Sequence, residues 1–144
     1  MLLNNSNSTF GTDVNKSVEL YREVSDSSDS ESSIAKHDRA FMYRDGVGVD
    51  KDNVKAFELF KESAEGGYLN GMNMLGECYY EGRGIGRDGQ KAFKWFQKAA
   101  DLGNNAAKYN LGRMYKDGEI VEKDDNKALE LFKSSVERAN VTFF

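Results

Sequence analysis

The chain has 144 residues, enough for one domain, and its 39% hydrophobic and 31% charged residues match an ordinary globular protein. A net charge of −4 argues against a nucleic-acid binder, and a single cysteine, Cys78, excludes an intramolecular disulfide framework and a cysteine-based zinc site. The absence of proline suits a chain of helices and short turns.

The N-terminus, Met1 to Ser6, turns polar after two leucines and has no apolar core of signal-peptide length. No run is long enough to span a membrane, so the sequence reads as cytoplasmic. The Asn-x-Ser/Thr matches at Asn4, Asn7, Asn15 and Asn140 then read as chance matches. Residues 1–12 are rich in Asn, Ser and Thr and read as a disordered leader.

From residue 13 the chain is periodic. Asp13–Glu23 matches Asp52–Glu62 at an offset of 39, so residues 13–25 read as the second half of a repeat. The extra residues fall in the serine-acidic stretch Ser25–Ser33, which reads as a solvated loop with N-cap material for the next helix. Its Ser28-Asp-Ser-Glu31 also has the acid-after-serine pattern of a phosphorylation site, at Ser28.

Three full repeats of 36 residues follow without a gap, at 33–68, 69–104 and 105–140. Each reads as two helices. The first runs over Ser33–Arg44, Leu69–Glu81 and Asn105–Lys116, and stops at a glycine suited to a left-handed cap: Gly46, Gly82 and Gly118. A short loop leads to Asp52, Asp88 and Asp124, each placed to cap the second helix. The second helices carry Ala56, Leu59 and Phe60, then Ala92, Trp95 and Phe96, then Ala128, Leu131 and Phe132, an apolar stripe at i, i+3, i+4. Small residues at Gly71 and Ala107, and at Ala92 and Ala128, are expected to let aromatic side chains such as Tyr79 and Phe96 cross the helix pair. One helix pair cannot bury its stripe alone, so neighbouring pairs must stack.

The last residues, Asn140–Phe144, read as the start of another first helix. Either the two phenylalanines of the 141–144 tail cap the final apolar face, or the chain is part of a longer array, or the ends self-associate.

The pattern Leu75-Gly76-x-x-Tyr79-x-x-Gly82-x-Gly84-Ile85-x-x-Asp88-x-x-Lys91-Ala92-x-x-Trp95-Phe96 resembles the Sel1-like repeat, a relative of the tetratricopeptide repeat. The third copy keeps it except that Ile120 replaces the second loop glycine, and the first departs at Arg39 and Ala40. The resemblance covers residues 13–140. It implies an all-α fold, a right-handed α-solenoid of antiparallel helix pairs with about three repeats and an N-terminal half repeat. It also implies a non-catalytic adaptor or scaffold that binds a partner protein, with no cofactor.

No catalytic or metal-binding constellation accompanies these repeats. Gly84-Ile-Gly86-Arg-Asp-Gly89 spells the dinucleotide pattern but follows a helical segment where that site needs a strand. Cys78 shares its column with Met42 and Met114, which makes it a core residue. His37 is the only histidine, and Glu77 and Glu81 have no acidic pair in the other copies. The residues that do not recur are better candidates for function. By analogy with related repeats the first helices line the concave face, with His37, Phe41 and Arg44, then Asn73, Glu77 and Tyr80, then Tyr109, Arg113 and Lys116 expected to point outward as a protein- or peptide-binding stripe. The other reading is a regulatory or assembly subunit that associates through its open repeat ends with an enzyme or like chains.

Overall fold

The computed structural model describes residues 32–141 and Lys16, with side chains from Ser32 to Glu137. Apart from Lys16, the half repeat at 13–25 lies outside the described residues, as do Ser28 and the last three residues. Six helices follow in order: α1 (Ser33–Asp45), α2 (Asn53–Glu65), α3 (Leu69–Glu81), α4 (Gly89–Asp101), α5 (Asn105–Asp117) and α6 (Asp125–Val141). There is no strand among the described residues.

Local chemistry sets the boundaries. Gly46, Gly82 and Gly118 end the first helices at φ 70°, 74° and 65°, a conformation that a Cβ disfavours. Asp52, Asp88 and Asp124 each accept from the backbone N–H three residues on, at 3.0 Å. The same aspartates donate their own N–H to the carbonyls of Tyr43, Tyr79 and Tyr115 at 2.8, 2.8 and 3.0 Å. That bond ties the start of every second helix to the end of the first. Ser32 caps α1 by accepting from Ile34 and Ala35.

Each first helix packs against its own second helix, and α3 and α5 also pack against the second helix of the repeat before. The first helices also touch one another, α1 to α3 and α3 to α5, whereas α2, α4 and α6 make no mutual contact. The stack therefore curves with first helices inside and second helices outside. Phe60, Phe96, Leu59, Leu75 and Leu111 are the largest fully buried side chains. Tyr79 crosses from one repeat to the previous one, edge-on to Phe57 at 5.5 Å, and Tyr115 meets Phe93 in the same way at 5.9 Å.

Gly71 does let two helices approach, but against Ser63 and not an aromatic ring. Gly71 faces the hydroxyl of Ser63, where an added Cβ would come within 2.4 Å, so it sets the approach of α3 to α2. The glycine that makes room for Phe96 is Gly76, where a Cβ would lie 2.6 Å from the ring. Nor does Asn140 begin a new first helix. The backbone of α6 runs on without a break to Val141. In the first two repeats the corresponding turn uses Gly67 and Gly103 at φ 95° and 98°; alanine, Ala139, stands at that register in the third.

Candidate functional site

The inner face is built from α1, α3 and α5. On α1, His37 lies edge-on to Phe41 at 4.8 Å, to Tyr68 at 5.1 Å and to Phe60 at 5.8 Å. Its side chain is 13% exposed, so it is a packing residue beneath the surface expected of it. The Arg44 guanidinium covers the Phe41 ring at 4.3 Å and pairs with Asp45, whose carboxyl it holds below its ordinary value.

Asn73 requires a correction. It is buried under α5, and its Oδ1 accepts from the Asn110 side chain at 2.8 Å. An outward direction read from one helix failed because the neighbouring first helix covers that position. Asn110, which the stripe omitted, is buried as well. The only sequence signal for it is a polar residue in a column that holds Met74 in the repeat before. Higher on the same helices, Asn104 donates to Asn70 at 2.9 Å.

Glu77 is half-buried beside this link, and Asn110 also bonds to its carboxylate. Burial raises the Glu77 pKa, neighbouring Glu81 raises it further, and the bond from Asn110 opposes both. Arg44 and Arg83 share a hollow with Glu77 and Glu81, so the carboxylates sit among cations.

Further along, Arg113 of α5 reaches two rings, Tyr80 of α3 at 6.0 Å and Tyr109 of its own helix at 5.9 Å. Arg87 approaches Tyr80 at 5.5 Å and is held by Glu119 at 3.0 Å. Tyr109 is 52% exposed, and Arg113 is also open to solvent. Lys116 lies apart, at the open end beside Phe132. Eight of the nine stripe residues thus divide into an α1 cluster, a buried asparagine link with Glu77, and a tyrosine–arginine cluster that joins α3 to α5, with Lys116 apart.

The Cys78 thiol is buried, and burial pushes its pKa up to about 12, with Glu77 adding to the rise. Among the described residues no group of three His, Cys, Asp or Glu side chains could hold a metal ion. None of the helices there is long and apolar enough to cross a membrane. The dinucleotide-like glycines follow α3, a helix, and Gly89 makes room for Ile120 of the next loop.

A family model for the Sel1 repeat matches residues 33–68, 69–104 and 105–140. The chain belongs to the Sel1 repeat family. Sel1 repeats are typically non-catalytic modules that mediate protein–protein interaction. A Sel1 repeat protein from Oxalobacter formigenes is similar at 28% identity and a TM-score of 0.74, over 85% of this chain and 50% of that one. The protective antigen c5321 of uropathogenic Escherichia coli, described as having an SLR fold, is similar at 26% identity and a TM-score of 0.77, over 87% and 27%. Helicobacter pylori cysteine rich protein B shares the fold at 20% identity and a TM-score of 0.62, over 88% and 89%. The chain therefore spans half of the first of these structures and about a quarter of the second. No curated protein sequence matches it.

Proposed function

We propose that this Sel1 repeat chain is a non-enzymatic adaptor, or scaffold, that binds a protein or peptide partner on the inner face of its stack. The observation that carries the reading is the cluster of Tyr80, Arg113 and Tyr109. Two rings and a guanidinium from adjacent repeats meet at a solvent-open surface. Tyrosine and arginine are the side chains that most often dominate binding energy, because they offer large contact area with few degrees of freedom to lose. The helices beneath are joined by the buried Asn110–Asn73 hydrogen bond, which favours a preformed surface. Arg44, Phe41 and Glu77 extend the same face towards the first repeat, mixing cations and an acid for a polypeptide rather than a polyanion. A cytoplasmic setting goes with this reading, since Cys78 is buried and free.

A photo-crosslinking amino acid at Tyr109 tests it, with one at Lys94 on the outer helix α4 as control. In native cells Tyr109 should capture a discrete protein that Lys94 does not, and Arg113→Glu with Tyr80→Ala should abolish the capture. Equal capture from both positions, or capture that survives the double substitution, would move the binding surface elsewhere.

A further inference from the structure

Glu77 and Arg113 stand at the same register of consecutive repeats, 36 residues apart, on α3 and α5. Both line one hollow on the inner face, together with Tyr80 and Met114. They carry opposite charges, yet no ion pair joins them, and neither forms one with any other described residue. The neighbouring arginines are already answered. Arg44 pairs with Asp45 at 2.9 Å, Arg83 with Glu81 at 2.6 Å and Arg87 with Glu119 at 3.0 Å.

Local contacts hold the two poles apart. The Arg113 guanidinium lies against the rings of Tyr80 and Tyr109, at 6.0 and 5.9 Å, and its N–H donors remain open to solvent. Glu77 is half-buried and takes its hydrogen bond from Asn110, an uncharged donor, while Arg44 and Arg83 act on it only from a distance. A carboxylate part-way out of water with no cation in contact gains from one that arrives. A guanidinium flattened on rings presents its planar fork to a carboxylate at little further entropic cost. The two poles together select their ligand. A purely acidic segment would meet Arg113 but be repelled by Glu77, and a purely basic one would meet Glu77 but be repelled by Arg113.

We propose that Glu77 and Arg113 bind an extended segment of a partner protein that carries a basic and an acidic side chain at alternate positions, the base on Glu77 and the acid on Arg113. Packed helices lie about 8–10 Å apart, which sets the spacing of two equivalent positions on α3 and α5. Side chains two residues apart share a face of an extended strand at about 7 Å, and the stem of a lysine or arginine spans the difference. The segment therefore crosses the helices with its base over the second repeat and its acid over the third. The inference rests on the inner-face reading and names the chemistry of the partner.

The test selects random short peptides, displayed without a free C-terminus, on the full chain, and measures the selected peptides by fluorescence anisotropy. They should carry a base and an acid two residues apart, and neutralising either peptide charge should weaken binding by about tenfold or more. Arg113→Gln should weaken the parent peptide equally but add nothing once the acid of the peptide is neutral, and Glu77→Gln should behave likewise with the base. Arg113 is open to solvent and glutamine keeps an acceptor for Asn110, so both variants fold, as circular dichroism would verify. Failure to select any peptide would overturn the inference. So would selected peptides without the charge pair, or losses on Arg113→Gln and Glu77→Gln that are the same for parent and neutralised peptides. Peptides that lose binding on Tyr80→Ala while ignoring both charge variants would overturn it and leave the inner-face reading standing. Peptides that ignore all three substitutions would overturn it and count against that reading as well.

Discussion

Gly89 and Ile120 fit as a pair. A Cβ at Gly89 would lie 2.3 Å from Cδ1 of Ile120, so the loop of the third repeat rests on the bare first turn of α4. In the preceding interface the glycine is on the loop, where a Cβ at Gly84 would lie 2.1 Å from the Asn53 carbonyl oxygen. The isoleucine that departs from the repeat pattern is therefore compensated by a glycine one repeat earlier. That glycine also completes the dinucleotide-like motif, which explains the motif without a nucleotide.

Gly89→Asn should destabilise the fold by about 1–3 kcal/mol through overpacking. Combining it with Ile120→Gly removes the side chain that the added Cβ would meet, and the double variant should lose less than the two single losses added. Urea denaturation of all four proteins measures the coupling, and strict additivity would mean that the two residues pack independently.

The Asn73–Asn110 bond predicts an asymmetry of its own. Asn110→Ala leaves the Asn73 amide buried and without its donor, at a cost of about 1–3 kcal/mol. Replacing both by leucine removes the stranded group, so that double variant should be more stable than Asn110→Ala. The same urea experiment decides it.

Glu77 makes stability depend on pH. Its pKa is raised in the folded state, first by burial and then by Glu81, so the folded protein holds this proton more tightly than the unfolded chain does. The sign follows from linkage: the unfolded state binds fewer protons between the ordinary 4.5 and the raised value, and stability falls as pH rises through that window. Glu77→Gln should flatten that part of the profile while keeping a side chain that can accept from Asn110. Carboxyl NMR should show the Glu77 midpoint above 4.5 in the folded protein.

Cys78 should be inert. With its pKa pushed up to about 12 from an ordinary 9.0, the thiolate at pH 8 is scarce and buried. A thiol reagent should modify it at least about a hundredfold more slowly in the native protein than in denaturant. Equal rates would show that α3 opens readily.

Much of the architecture is local and so was legible in the chain. The left-handed glycines at 46, 82 and 118 and the capping aspartates at 52, 88 and 124 act within a few residues of themselves, and repetition at 36 residues exposes them. The Sel1 resemblance follows from the same positions. The candidate surface was only partly legible. Phe41, Arg44, Glu77, Tyr80, Tyr109, Arg113 and Lys116 line the inner face or its open end, but His37 is sunk among rings and Asn73 is covered.

The sequence by itself determined where the first helices stop, where the second helices start and that neighbouring pairs must stack, because caps and apolar stripes are short-range chemistry. Only the tertiary structure decided which side chains meet across repeats. Asn73 pairs with Asn110, 37 residues away and one step off the repeat, and Gly89 answers Ile120 at a distance of 31. Such contacts depend on how one helix is rotated against the next, which a 36-residue period does not encode.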